Sequence, residues 1–197
     1  MIVWTIQTVD VYEKLLKEKV LYTNINLSSL YHMEDIGVAD NPFQKGYDWL
    51  AKRMEEKIGR PEKATYPWWA WYKREMKHQR PDLREAGYGN RGEQLVCIEL
   101  DIPDDEVVLS DFDLWWFCIS DCWVSDATSD KEWDERDAWF DSLSKEEQER
   151  LKLQSWETIF DTNLDIRPWH ERGKWVQATF WELRLSDVRD VKYFKAR

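Results

Sequence analysis

The first segment of the chain alternates apolar and polar positions and then switches to helical spacing. Residues Ile2–Gln7 alternate with the period of a strand that has one face in the core. From Val9 to Lys19 apolar residues recur at i,i+4 spacing, as in Val11 and Leu15, which predicts an amphipathic helix. Leu21–Thr23 returns to an extended pattern. We therefore expect a strand, a helix and a second strand in that order.

The clearest helical pattern begins at Asn41-Pro42 and ends at Gly59, which are typical residues for a helix start and a helix end. Its apolar stripe consists of Phe43, Tyr47, Leu50, Met54 and Ile58. Residues 24–40 predict a mixed loop, and the glycines of Gly87–Gly92 predict a mobile connection. Between these two loops, Tyr66–Lys73 fits either a buried strand or an aromatic loop.

The second half of the chain opens with strand patterns and a helix cap. Gln94–Ile102 predicts a strong strand, and Glu106–Leu109 predicts a shorter one. Ser110 is placed to cap a short helix through Ile119, with Asp113 at the capping-box position.

Acidic helices follow and lead back to strands. Asp130–Leu143 and Lys145–Phe160 predict two helices, the second capped by Ser144. Trp175–Leu185 predicts the last long strand, and Val188–Phe194 predicts a short final one. Together these elements predict an α+β fold, with a mostly antiparallel sheet and flanking helices. We expect residues 1–197 to form a single domain with an acidic helical insertion at 120–165.

Charge is distributed unevenly along the chain. The net charge is −11, and residues 99–165 hold 21 Asp and Glu against 5 Lys and Arg. Residues 52–91 are basic by contrast, with 11 Lys and Arg against 6 acids. The overall charge argues against non-specific nucleic-acid binding, although the basic stretch could form a local face for phosphate. The acidic stretch either solvates exposed helices or meets a basic partner.

Targeting signals, cysteines and motifs narrow the function classes. The start Met1–Gln7 predicts no signal peptide, and no apolar run approaches the ~20 residues of a membrane span. Three cysteines without framework spacing favour a reduced, cytoplasmic protein. His32, His78 and His170 are far apart in the sequence, so we expect no metal site. Phosphate-binding glycine loops, nucleophile elbows and metalloprotease motifs are missing from the sequence, which disfavours the familiar kinase and hydrolase classes.

Two features remain as candidate chemistry. The aromatics of Tyr66–Tyr72 run into Lys73 and Arg74, which suits either core packing or stacking on a flat ligand beside phosphate-binding cations. Glu182 lies between a tryptophan and a leucine in a predicted strand. A carboxylate that faces the core needs a partner or a function, whereas one that faces solvent needs neither. Both faces of this strand carry aromatics, so the alternation leaves the direction of Glu182 open.

Specific short motifs are spread from one end of the chain to the other. They are Val3–Gln7, Tyr66–Tyr72, Pro81–Arg84, Leu109–Asp113 and Gln177–Leu183. In these segments the chain resembles a bacterial family, the domain of unknown function numbered 3841. The resemblance implies a single-domain bacterial protein and gives no activity.

The order of elements also resembles that of small ADP-ribosyltransferase domains, particularly those that modify DNA bases. The shared features are a first strand and helix, a Pro-aromatic segment that ends in basic residues, and a glutamate on a late strand before a short Val-rich strand. Here the glutamate is Glu182, and Phe180 stands where many such enzymes carry Gln or Glu. The first strand offers Thr5 and Gln7 in place of His or Arg.

This second resemblance implies NAD as substrate and assigns roles to individual side chains. Glu182 is the catalytic carboxylate, which would stabilise an oxocarbenium-like state. Trp69 and Trp71 stack on the ligand. The other ligand-binding residues are Thr5 and Gln7, for the ribose or amide, and Lys73 or Arg74, for the phosphates.

Two further function classes stay open from the residues. A non-enzymatic module for a nucleotide or single-stranded nucleic acid would use the same aromatics with the cations of residues 52–91. A protein-interaction domain would use the acidic helices at 130–160 to meet a basic partner. We expect no membrane partner in any of these cases.

Overall fold

The computed structural model of the chain describes residues 1–23 and 43–197. Within these residues the strands are β1 (Ile2–Thr8), β2 (Val20–Leu21), β3 (Trp68–Lys73), β4 (Gln94–Asp101), β5 (Val108–Asp111), β6 (Asp165–Arg167), β7 (His170–Arg172), β8 (Val176–Phe180), β9 (Leu183–Arg184) and β10 (Val188–Lys195). The helices are α1 (Val9–Glu18), α2 (Gln44–Ile58), α3 (Phe112–Ile119), α4 (Asp130–Asp141) and α5 (Lys145–Ser155), with 3-10 segments at Asp104–Glu106, Trp156–Phe160 and Leu185–Asp187.

One large antiparallel sheet organises the molecule. In the described part of the chain it has six strands in the order β10-β4-β1-β3-β8-β5, while β2 pairs with β9 and β6 pairs with β7. Successive side chains of a strand point to opposite faces, so the sheet separates two cores. The core under α1 contains Leu15, Ile98 and Phe180. The core under α2 and α3 contains Trp49 and Trp156. The predicted α+β class and antiparallel sheet are confirmed.

The predicted strand–helix–strand start is confirmed, and local capping explains it. The Thr8 hydroxyl accepts a hydrogen bond from the backbone N–H of Val11 and begins α1. Lys19 adopts a left-handed conformation with φ of 70° and ends the helix, so β2 starts at once. Gly59 likewise ends α2 with a positive φ, as the sequence predicts. The predicted loop at 24–40 and the helix start at Asn41-Pro42 lie outside the described residues.

The Tyr66–Lys73 segment contributes a strand, β3, which lies in the interior of the sheet between β1 and β8. The predicted strand at Gln94–Ile102 is confirmed as β4. The next strand is shifted by comparison with the prediction of Glu106–Leu109. Asp104–Glu106 forms a 3-10 turn, so β5 begins only at Val108.

The predicted cap at Ser110 is wrong by one residue. Ser110 is a buried residue of β5, and its hydroxyl has no hydrogen-bond partner among residues 1–23 and 43–197. The cap of α3 is Asp111, whose carboxylate accepts the backbone N–H of Leu114 at 2.8 Å and that of Gly173 at 2.6 Å. A carboxylate that accepts two backbone N–H groups satisfies more donors than a serine hydroxyl could, which explains why the helix begins here.

Burial raises the pKa of Asp111 to about 6, although its backbone hydrogen bonds favour the charged form. The folded state then holds a proton on Asp111 between the unfolded pKa of 3.8 and the folded value, whereas the unfolded chain does not. We predict that Asp111 makes the free energy of unfolding fall, on the order of 3 kcal/mol, as pH rises from about 4 to about 6. Urea unfolding across this range should show the free energy of unfolding of Asp111→Asn rising by that amount relative to the wild type, because the other carboxyl groups titrate in both proteins. An unchanged slope in the variant would contradict the assignment.

The predicted long strand at Trp175–Leu185 is divided in two. β8 ends at Phe180, and β9 (Leu183–Arg184) leaves the large sheet to pair with β2. Trp181 causes the break, because its side chain turns into the core under α2 and its indole N–H donates to the Gly59 carbonyl at 2.5 Å. Period-two alternation carries no signal for such a tertiary contact, so the break was not predicted.

The acidic region forms the two predicted helices. Ser144 and Glu147 make the predicted capping box at the start of α5. The end of the predicted helix tightens into the 3-10 segment Trp156–Phe160, where Trp156 and Ile159 enter the core. The β6–β7 ribbon follows and was not predicted. Among residues 1–23 and 43–197, no helix combines the length and apolar content that crossing a membrane requires.

Candidate functional site

Glu182 lies at the junction between the large sheet and the β2–β9 pair. It follows the end of β8 and immediately precedes Leu183, which pairs with Leu21. The Trp68 indole N–H donates to the Leu21 carbonyl at 3.0 Å and links β2 to the first residue of β3. Four strand ends therefore meet around this glutamate, and the break at Trp181 decides where it lies.

The Glu182 carboxylate is held on both oxygens. Its Oε1 accepts the Tyr22 hydroxyl at 2.5 Å, and its Oε2 accepts the Arg184 guanidinium at 2.7 Å from Nε and 2.5 Å from Nη2. Its side chain is only 17% exposed. The Tyr22 hydrogen bond, followed by Arg184, lowers the pKa of Glu182, and the same bond raises the pKa of Tyr22. The result is an ionised carboxylate in one fixed orientation.

Arg184 is shared among several carboxylates. Besides Glu182 it contacts Glu106 at 2.5 Å and Asp187 at 3.8 Å. One buried oxygen of Asp187 has no hydrogen-bond partner in the described part of the chain. A single guanidinium therefore faces three carboxylates, which leaves the site with a negative excess. Such a site favours a ligand that carries or develops positive charge.

A cleft of about 210 Å³ opens beside these charges. Glu182, Glu106 and Arg184 form its polar side. Its apolar side consists of Ile58, Pro61, Ile102, Phe180 and Trp181. A few charged groups in a cleft that is otherwise lined by apolar side chains are a typical arrangement for binding a flat ligand with one polar end.

The other predicted ligand-binding residues lie elsewhere. Thr5 is 1% exposed, and its hydroxyl donates to the Trp69 carbonyl at 2.8 Å. Gln7 donates its amide N–H to the Thr5 hydroxyl at 2.7 Å. Thr5 therefore holds β1 to β3 inside the large sheet, and Gln7 bonds to Thr5 within β1. Thr5 has no surface for direct contact with a ligand in this conformation.

The two predicted stacking tryptophans are engaged with other rings. Trp69 packs against Trp115, with ring centroids 5.1 Å apart, and against Tyr47 at 6.1 Å. Trp71 packs against Phe112 at 5.2 Å. Both rings thus contact elements on the helix-covered face under α2 and α3.

The predicted cations lie at the far end of β3 from Glu182. Arg74 lies over the rings of Trp71 and Trp175, and its guanidinium pairs with Glu85 at 2.7 Å. Lys73 forms no ion pair within residues 1–23 and 43–197. Trp71 is opposite Gln177, which is roughly 10 Å along β8 from the strand end at Phe180, and Glu182 lies beyond that end. The basic end of the segment is therefore remote from the glutamate, whereas its first strand residue, Trp68, lies beside β2 at the site.

Tyr22 and Arg184 are the site residues that sequence reasoning missed. Arg184 stands two positions after Glu182, a spacing that places both side chains on one face of an extended segment. That signal was available in the sequence. Tyr22 is 160 positions away, and only the pairing of β2 with β9 brings it close. The described residues contain no group of three or more His, Cys, Asp or Glu that could hold a metal ion.

Comparison with protein families gives one match. The profile described as "Domain of unknown function (DUF3841)" matches residues 2–189. The chain belongs to the DUF3841 family. No curated protein and no solved structure matches this DUF3841 chain. The family assignment covers β1 through the start of β10, so it includes Tyr22, Glu182 and Arg184.

Proposed function

We propose that the chain is an NAD-dependent, ADP-ribosyltransferase-like enzyme in which Glu182 is the catalytic carboxylate. One observation carries this proposal: an ionised carboxylate in the lining of a partly apolar cleft is fixed by Tyr22 and Arg184. A group held in this way needs no reorganisation when positive charge develops beside it.

The reaction would begin with cleavage of the bond between nicotinamide and the ribose C1′. The electron pair of that bond leaves with nicotinamide, which becomes neutral, and the ribose acquires oxocarbenium character. Glu182 would stabilise that positive charge, and the negative excess around Arg184 acts in the same direction. An acceptor oxygen or nitrogen then bonds to C1′ and loses a proton. The apolar side of the cleft, which includes Trp181, would receive the flat nicotinamide ring.

Tyr22 and Arg184 are positioning residues in this proposal. Each holds one oxygen of Glu182, so together they fix the plane of the carboxylate. The ligand roles predicted for Trp71, Lys73 and Arg74 are not needed at the bond that breaks, because those residues lie towards the other end of β3. The ring of Trp69 is already packed against Trp115 and Tyr47. The ligand roles predicted for Thr5 and Gln7 are not needed there either, because both side chains form hydrogen bonds within the sheet.

Incubation of the purified chain with NAD labelled on the adenylate portion tests the proposal. We expect release of nicotinamide, and transfer of label to an acceptor when DNA, RNA or a cell lysate is added. Absence of turnover in every mixture, from protein shown to be folded by circular dichroism, would overturn the enzyme assignment. Binding of single-stranded nucleic acid with steep salt dependence and no turnover would favour the non-enzymatic module instead.

A further inference from the structure

A separate cavity of about 540 Å³ lies in the acidic helical region, away from Glu182. Its aromatic walls are Phe117 at the end of α3, Trp123 after it, and Trp133 and Phe140 on α4. Trp123 and Phe140 are stacked in parallel with centroids 4.7 Å apart. Its volume is typical of a ligand pocket.

Two of the lysines at this cavity are already neutralised. Lys152 is 11% exposed and contacts Asp121 at 2.7 Å and Glu149 at 2.8 Å. Lys45 contacts the same two carboxylates at 2.8 and 2.6 Å. Two ammonium groups and two carboxylates thus form a closed network on one side of the cavity. The remaining lysine in the lining, Lys145, donates to the Gln148 amide oxygen.

Two carboxylates of the lining remain unneutralised. Asp137 and Asp141 are exposed, and neither side chain forms an ion pair or hydrogen bond within the described parts of the chain. They are four positions apart on α4, so they lie on the same face of the helix, beside Phe140. The cavity therefore presents free negative charge next to aromatic faces.

We propose that this cavity binds an arginine side chain from a basic segment of a partner protein. A guanidinium stacks on aromatic rings and pairs with carboxylates in one plane, which matches the walls and the free aspartates. The partner's charge is complementary to that of residues 99–165, where 21 acids stand against 5 basic residues. The acidic helices are then an interaction surface in their own right, independent of the NAD reaction.

Fluorescence anisotropy of a labelled oligo-arginine peptide with the full chain measures this interaction at physiological salt. The test variant is Asp137→Asn/Asp141→Asn. The matched control is Glu135→Gln/Glu146→Gln, which removes the same charge from α4 and α5 at exposed positions outside the cavity. We expect the test variant to raise Kd by about tenfold and the control to raise it by less than about threefold.

An oligo-lysine peptide of equal length separates stacking from charge alone. We expect it to bind more weakly than oligo-arginine, because an ammonium does not stack on a ring as a guanidinium does. Equal weakening by the two double variants would overturn the proposal, since binding would then depend on overall charge. Equal affinity for the two peptides, or no binding by the wild-type chain, would overturn it as well.

Discussion

Replacement of Glu182 by Gln should reduce nicotinamide release from NAD by about a hundredfold to a thousandfold. The variant keeps the size of the side chain and its ability to accept the Tyr22 hydroxyl, but it removes the charge that stabilises the oxocarbenium-like state. The loss should appear in kcat, because that charge acts on the transition state more than on bound NAD. Initial rates of nicotinamide release over a range of NAD concentrations measure it.

Glu99→Gln is the matched control for that experiment. Glu99 is a half-buried carboxylate of β4 that accepts the Trp4 indole N–H at 2.9 Å, and the amide oxygen of Gln can accept the same bond. We expect its turnover to stay close to that of the wild type. Equal turnover by Glu182→Gln and the wild type would remove Glu182 from the mechanism, even if the chain consumes NAD.

The pH dependence of the reaction follows from the contacts of Glu182. Tyr22 and Arg184 lower the pKa of its carboxyl group, so Glu182 stays charged throughout the neutral range. Its contribution to the rate should be lost only as pH falls through that lowered value. These contacts also favour folding above the ordinary pKa of a glutamate and lose this effect in acid.

Replacement of Trp156 by Ala should lower the free energy of unfolding by about 3–5 kcal/mol. The side chain is fully buried, its ring meets Trp49 edge to face at 5.4 Å, and its indole N–H donates to the Cys122 carbonyl at 2.7 Å. The variant leaves a large cavity in the core and removes the hydrogen bond to the Cys122 carbonyl. Urea unfolding measures the change. An m value equal to that of the wild type shows that the variant still unfolds in a two-state transition.

Trp116→Ala removes the same side chain from a surface position. Trp116 is 52% exposed on α3, so we expect its replacement to cost less than about 1 kcal/mol. Equal losses for the two variants would show that Trp156 does not anchor the acidic helices to the core.

Local signals were sufficient for most elements. The capping box of Ser144 and Glu147 and the terminal Gly59 act within one helical turn, so α5 begins and α2 ends where the sequence predicts. The patterns of Ile2–Gln7 and of Gln94–Ile102 similarly predict two strands. In the structure these strands pair with each other. The prediction of Ser110 as the helix cap was wrong by one residue. The choice between Ser110 and Asp111 depends on a hydrogen bond from Gly173, which is distant in the sequence.

The candidate site was only partly predictable. The sequence singles out Glu182 as a carboxylate that needs an explanation, and Arg184 follows at a spacing that places both on one face. Sequence periodicity could not supply Tyr22 or the end of β8 at Phe180, because each depends on a contact between distant segments. The aromatic-basic segment resembled a ligand site as much as a core strand, because both uses require the same side chains.

By itself the sequence determined the α+β class, most helix and strand positions, the acidic helical region and Glu182 as the residue to test. These features depend on spacing, capping and composition over short stretches of chain. Only the tertiary structure decided that Trp181 breaks the last long strand, that Tyr22 and Arg184 hold Glu182, and that Trp69 and Trp71 pack against α3. It also brought Trp123 and Phe140 together beside the free aspartates of α4. Those outcomes depend on which distant side chains pack in the same core, and short-range sequence patterns do not predict such contacts.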